Sequence, residues 1–264
     1  MTVPGPISVI IPCYRCGKEV MRALDSVLNQ TLQPKEILFI DDASGDGTLD
    51  VLHELEVAYA PMVRVIAQAQ NGGPGLARNA GWDAATQPWL AFLDSDDAWH
   101  PRKLEIQWTW LAAHLEVVLC GHATWLSADG RIDPPVDAAP PATRLTLAQM
   151  LLSNRLPTRS VMLRRDLPLR FSGRRYAEDY QLWLEIIEAG QPAWRLETPL
   201  ACSFRPDFSP GGLSGQLWRH EKNELAVLCK LWRSGRISVF VFALAAAWSV
   251  VKFLRRRWLM RSVR

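Results

Sequence analysis

The chain is poor in the features that mark secreted, metal-stapled or nucleic-acid-binding proteins. Its five cysteines, Cys13, Cys16, Cys120, Cys202 and Cys229, are odd in number and scattered, which argues against a disulfide framework. No secretory leader is visible, because an apolar strand pattern begins at once at Ile7. A reducing, cytoplasmic setting is therefore expected. Charge is nearly balanced, and a formal net charge of +3 is too small to argue for a nucleic-acid partner. No segment repeats. No GxGxxG follows the first strand, which argues against a dehydrogenase. Cys13-Tyr14-Arg15-Cys16 has CxxC spacing, but no second ligand pair accompanies it to hold zinc. A redox pair is the alternative use of that spacing. His53, His100, His114 and His122 have no ligand spacing among them. Lysine is scarce beside arginine, whose planar fork suits phosphates and carboxylates.

What is present is an alternation of strand and helix signals. Ile7–Ile11, Ile37–Ile40, Val63–Ala67 and Trp89–Leu93 read as short buried strands. Glu19–Leu28, Leu49–Tyr59 and Gly75–Ala84 read as the helices between them. This order implies a mostly parallel, Rossmann-like α/β sheet with right-handed crossovers and helices on both faces. After residue 97 the pattern changes. Leu104–Leu115 reads as a helix, Val117–Trp125 as a strand and Ala128–Thr143 as a Pro-rich loop. Ser160–Leu163 reads as a short strand, Glu178–Ala189 as a helix stopped by Gly190, and Trp194–Phe204 as one or two strands.

Asp94-Ser95-Asp96-Asp97 follows the fourth strand, at the carboxyl end, where open α/β sheets bind ligands. Three acids in four residues repel one another. Mg2+ or Mn2+ relieves that repulsion, because hard cations take carboxylate and phosphate oxygens together. The alternative is a solvated acidic turn capping the helix that begins near Pro101.

Five blocks, taken in order, resemble family 2 glycosyltransferases. They are Ser8-Val9-Ile10-Ile11-Pro12-Cys13-Tyr14, then Glu36 through Thr48 with Asp41-Asp42 at its centre, then Asn71-Gly72-Gly73-Pro74-Gly75-Leu76-Ala77-Arg78-Asn79. Phe92-Leu93-Asp94-Ser95-Asp96-Asp97 with Pro101 resembles the DXD metal motif, and Tyr176 through Leu184 resembles the acidic motif that carries the base. The likeness runs from about Ile7 to Ser214 and implies the GT-A fold. It implies an inverting transfer of sugar from a nucleotide-diphosphate donor, a UDP-sugar in first place, to a hydroxyl on a glycan or lipid-linked acceptor. By motif position, Pro12 and Tyr14 line the base pocket, and Asp41 or Asp42 contacts base or ribose. Asp94 and Ser95 lie near the ribose, while Arg78 reaches the diphosphate or braces the acidic loop. Asp96 is the expected metal ligand, and Asp97 either ligates through water or orients the loop. Asp179 is the expected general base, with Glu178 its competitor. The family often follows its last strand with an aromatic-Arg pair and a His that completes the metal shell. Here Phe204-Arg205-Pro206-Asp207-Phe208-Ser209 supplies the Arg but no nearby His. Arg205 is then assigned to the phosphates and Asp207 is an alternative ligand. His220 is expected on a helix surface.

The reading divides the chain at about residue 215. Residues 1–215 form the catalytic domain, with the donor half ending near residue 100 and the acceptor half after it. Residues 216–264 form a helical tail. Within it, Ile237–Val251 has only Ser238 and Ser249 as polar members. Lys230, Arg233 and Arg236 precede the run, and Lys252, Arg255, Arg256, Arg257 and Arg261 follow it. Fifteen helical residues span roughly 22 Å, short of the roughly 30 Å hydrocarbon core. A shallow or re-entrant helix on one anionic leaflet fits better, and would hold the protein peripherally or monotopically on the cytoplasmic face. A buried helix or a dimer contact is the alternative. Two other functions compete with sugar transfer: nucleotidyl transfer, which would want a richer Gly loop than Pro12 through Lys18 supplies, and non-catalytic nucleotide binding.

Overall fold

The β-branched runs of the first half are apolar on both sides, and each is followed by a helix that crosses back over it. Such runs build a buried parallel sheet. The computed structural model describes residues 3–17, 19–206 and 216–262. In it, β1 (Gly5–Cys13), α1 (Glu19–Leu28), β2 (Pro34–Asp41), α2 (Thr48–Ala58), β3 (Val63–Ala67), α3 (Pro74–Ala84) and β4 (Trp89–Phe92) follow one another. β1 pairs in parallel with both β2 and β4, and β2 pairs in parallel with β3. Ile7, Val9, Ile10 and Ile11 are fully buried, so β1 is the spine of this half.

The second half is mixed. It comprises β5 (Ala98–Trp99), α4 (Lys103–Ala112), β6 (Leu119–Leu126), β7 (Ala142–Arg144), α5 (Leu147–Leu152), a 3-10 turn at Thr158–Ser160, β8 (Met162–Arg164), α6 (Glu178–Glu188) and β9 (Ala193–Ser203). β8 lies antiparallel between β4 and β6, β6 and β9 are parallel, and β5 and β7 run antiparallel to β9. One nine-stranded sheet results, in the order β3-β2-β1-β4-β8-β6-β9-β5 with β7 alongside β9. Helices cover both faces. Val20, Leu24, Leu52, Leu104 and Leu111 bring α1, α2 and α4 onto one apolar layer. Trp82, Met150 and Trp183 bring α3, α5 and α6 onto the other.

Two differences from the sequence reading bear on function. First, the tail is not a detached appendage. It forms α7 (Leu217–Arg233) and α8 (Val239–Ser262), whose Val227, Leu228, Leu231, Ile237 and Ala245 join the same core as α3 and α6. Lys230 pairs with Glu185 at 2.6 Å and Arg236 with Glu188 at 2.9 Å, clamping α7 to the last turns of α6. Second, α4 ends at Ala112, three residues early. No described helix is long and apolar enough to cross a membrane.

One close approach sets the site. A side chain at Gly81 would place its Cβ 2.6 Å from Ile10 Cγ2, so only glycine lets α3 lie this tightly on β1.

Candidate active site

The carboxyl ends of β1, β2 and β4 meet at one edge of the sheet, as parallel strands in an open α/β layer do. A cleft of about 630 Å³ opens there. Pro12, Cys13, Tyr14, Asp42, Arg78 and the whole Asp94–Asp97 loop line it. Glu178, Asp179 and Thr158 line it as well, as does Arg205 after β9. The acids near 96 and near 179, remote in sequence, therefore share one cavity.

Arg78 joins the two groups. It sits on α3, buried, with Nη2 donating to Asp94 at 2.6 Å and Nη1 to Glu178 at 2.9 Å. The flanking carboxylates hold its guanidinium charged against the cost of burial. Its bond to Asp94 ties α3 to the acidic loop. Gly75 makes room for this bridge, since a Cβ there would stand 2.9 Å from Glu178 Cγ. Glu178 is 7 % exposed. Burial, reinforced by the Asp179 charge and opposed by Arg78, pushes its carboxyl up to about 7. Ala177 precedes it in the left-handed region, with φ 56°. That conformation is costly for a residue with a Cβ, and it turns Glu178 and Asp179 into the cleft at the start of α6. Asp179 accepts from Thr158 Oγ1 at 3.0 Å and from Asn154 Nδ2 at 3.4 Å.

The acidic loop is held from three sides. Arg22 donates to the Asp96 backbone carbonyl at 2.7 Å, and its guanidinium lies 3.7 Å above the Phe204 ring. Arg159 pairs with the Asp97 carboxylate at 3.2 Å, and Asp97 lines the cleft with only 6 % of its side chain exposed. Burial, then the Asp94 charge, pushes the Asp96 carboxyl up, and burial raises Asp97 further. A cation would relieve both. Among the described residues, no three or more His, Cys, Asp or Glu side chains are grouped to hold a metal ion. Asp207, the alternative ligand, lies outside the described residues.

The remaining expected positions divide. Tyr14 is half exposed, with Arg15 stacked 5.2 Å from its ring centroid. Asp42 faces the cleft, but its two oxygens accept from the Gly72 and Gly73 amides at 2.8 Å each, so it fixes the glycine turn before α3. Asp41 is buried, bonded to the Ser44 hydroxyl and amide, and does not line the cleft. Arg205 pairs with Glu19 at the mouth. Ser95 lines the cleft beside Cys16.

Several residues at the cleft or behind its acidic loop were missed. Arg22 and Arg159 carry no local signal, because each acts on a loop far away in sequence. His220 was placed on a helix surface, yet it lines the cleft from α7 and feels the Asp179 charge. Gln216 lines it too, accepting from Tyr176 Oη at 3.0 Å. Only the packing of α7 against α6 reveals these two.

The glycosyl transferase family 2 model matches residues 8–167, which is more than half of the chain and runs from β1 past β8. The chain belongs to glycosyl transferase family 2. It is accordingly an enzyme of that type, and the nucleotidyltransferase and scaffold readings fall away. The match stops before α6, so the place of Asp179 in this glycosyltransferase rests on the cleft geometry. The putative teichuronic acid biosynthesis glycosyltransferase TuaG of Bacillus subtilis is 28 % identical over 254 residues, covering 94 % of each chain. An uncharacterized glycosyltransferase of Nostoc is 46 % identical over 99 residues; that match spans 38 % of this chain and 30 % of the relative. Two solved structures share the fold. TarS 1–349 of S. aureus in complex with UDP-GlcNAc gives a TM-score of 0.67 at 19 % identity, covering 96 % of this chain and 72 % of that one. The mannosyltransferase PcManGT from Pyrobaculum calidifontis, in complex with GDP-Man and Mn2+, gives 0.68 at 17 % identity, covering 95 % and 76 %. The fold of this glycosyltransferase is thus GT-A.

Proposed function

We propose that the protein extends a cell-surface polysaccharide by a single inverting displacement. It would transfer sugar from a nucleotide-diphosphate donor, a UDP-sugar in first place, to a hydroxyl on a glycan or lipid-linked acceptor. The observation that carries this reading is the shared cleft, which Asp96 and Asp179 both line. The names of relatives support the substrate class: TuaG is assigned to teichuronic acid biosynthesis, and ExoO of Rhizobium meliloti, 28 % identical over 232 residues, to succinoglycan biosynthesis. The UDP-GlcNAc bound to TarS supports the donor class.

The donor set fits a hard cation such as Mg2+ or Mn2+: the acidic loop offers carboxylate oxygens to the cavity, with room for phosphates to complete the shell. Asp96 would hold the ion, with Asp97 fixing the loop behind it. When bound, the ion neutralises charge on the departing diphosphate. Arg205 faces the same end of the cleft. Asp179 takes the proton of the attacking hydroxyl, and Thr158 and Asn154 hold its carboxylate toward the acceptor side. Glu178 is committed to Arg78 and keeps the two acidic segments in register. Asp96→Ala should abolish metal-dependent donor binding. Calorimetry with UDP in Mn2+ and in EDTA reads this directly, and equal affinity in the variant and wild type would move the ligand elsewhere.

The tail would hold the enzyme at a membrane, on the cytoplasmic face, where the five free thiols stay reduced. Phe240, Leu244, Val251, Leu254 and Trp258 form an exposed stripe along α8. Exposed Arg233, Arg236, Arg255 and Arg257 flank it. An exposed apolar stripe between basic clusters suits an anionic interface, and no described helix is long and apolar enough to cross the bilayer. Wild-type protein should float with vesicles of phosphatidylcholine and phosphatidylglycerol, and Leu244→Glu should remain in the aqueous fraction. Equal flotation of the two proteins would remove the docking face.

A further inference from the structure

The tail does more than support the fold, because α7 presents polar side chains to the side of the cleft where the base stands. His220 lines the cavity with 26 % of its side chain exposed. Its strongest electrostatic neighbours are Asp179 on α6, Glu224 on α7, and Arg256 and Lys252 on α8; none belongs to the acidic loop that would bind the donor phosphates. Glu224 sits one turn further along α7, 4.0 Å from His220 Nδ1, and Lys252 grips Glu224 at 2.9 Å. The imidazole is therefore backed by a fixed ion pair. The start of α7 is latched to the base motif by the bond from Tyr176 to Gln216. Burial holds the His220 ring below its ordinary pKa, so at neutral pH it is an uncharged group able to donate and to accept.

Uncharged hydroxyl, amide and imidazole groups around a carboxylate suit a polyhydroxylated ring better than a phosphate. Each offers a hydrogen bond to a sugar hydroxyl without attracting the charged diphosphate away from its own end. Thr158 and Asn154 already converge on Asp179, and His220 lines the same cleft near enough to feel the Asp179 charge.

We propose that His220 is a specificity-determining residue of the acceptor subsite, binding a hydroxyl of the acceptor sugar beside Asp179. This rests on the sugar-transfer reading above. It assigns two jobs to one helical hairpin: α8 meets the membrane, and α7 receives the acceptor.

The test uses full-length protein with UDP-GlcNAc and UDP-glucose as donors. The acceptor probes are p-nitrophenyl glycosides of glucose, galactose, N-acetylglucosamine, mannose and glucuronic acid. UDP affinity reports the donor side and should be unchanged in His220→Ala. For the glycoside that the wild type uses best, KM should rise about tenfold with kcat nearly constant, the size expected for one lost hydrogen bond. His220→Gln should recover most of that loss. The His220 ring resonances, identified by their absence from the Ala variant, should shift when that glycoside is added. An unchanged glycoside KM would overturn the proposal. So would a parallel fall in UDP affinity, or ring resonances that no glycoside moves. A wild-type protein that neither binds UDP nor hydrolyses either donor would instead overturn the transfer reading, whatever the His220 resonances do.

Discussion

Asp179→Asn should lower kcat by about 10²–10⁴-fold, the usual contribution of a positioned general base, with UDP affinity almost unchanged. The isosteric amide keeps the bond from Thr158 but cannot take a proton from the acceptor hydroxyl. Binding survives because the donor-side groups, Asp96 and its loop, are anchored by Arg22 and Arg159 rather than by Asp179. Calorimetry for UDP and a steady-state assay of transfer separate the two effects. Turnover within about tenfold of wild type would move the base to another group. Glu178 is the competitor by sequence. In the structure it is buried and spends an oxygen on Arg78, so Glu178→Gln should disturb stability before it disturbs proton transfer.

Arg78→Ala should be the most destabilising single change in the site. Removing the cation leaves Glu178 buried and unpaired, with Asp94 and Asp179 repelling it. Breaking a buried pair by removing one partner typically costs about 3–5 kcal/mol. Asp94 retains 28 % side-chain exposure, which favours the lower end, about 3 kcal/mol. For a chain of this size that lowers Tm by about 6–12 °C. Donor affinity should fall as well, because Asp94 then loses its tether. A variant with wild-type Tm would show that the bridge carries no stability. Glu178 also sets a pH trend. Its carboxyl sits at about 7, above the free value of 4.5. The folded state therefore holds that proton more tightly than the unfolded chain does. The associated stability is fully present below about 4.5 and is lost as pH rises through about 7. Glu178→Gln should flatten the dependence of Tm on pH across that window.

Local chemistry made much of this legible beforehand. The strands β1 to β4 and helices α1 to α3 are written in short β-branched runs and helical periods, each decided within a dozen residues. The acidic loop and the base motif are likewise contiguous. The illegible parts depend on contacts between distant segments. β5 and β7 are two and three residues long and exist only because β9 offers them a partner. Arg78 had two candidate roles, and its bond to Glu178, 100 positions away, could not be read from either motif. Asp41 and Asp42 look equivalent in sequence. One is bonded to Ser44 behind the wall, and the other holds the Gly72-Gly73 turn at the cleft. The tail misled for a similar reason. Its apolar run suits a membrane surface on one face, while Ala245 and Phe253 are buried on the other and pack the chain together. His220 followed the tail into the wrong class, since nothing in its own neighbourhood points to Asp179.

The central claim is that one sugar carbon stands between Asp96 and Asp179. A crystal structure with Mn2+ and an intact, uncleaved UDP-sugar tests it most directly. The account places the diphosphate at the Asp96 loop and the Asp179 carboxylate on the opposite face of the anomeric carbon, in line with the bond to be broken. A sugar bound with its diphosphate against Asp179, or lodged where Asp179 is screened from the anomeric carbon, would contradict it.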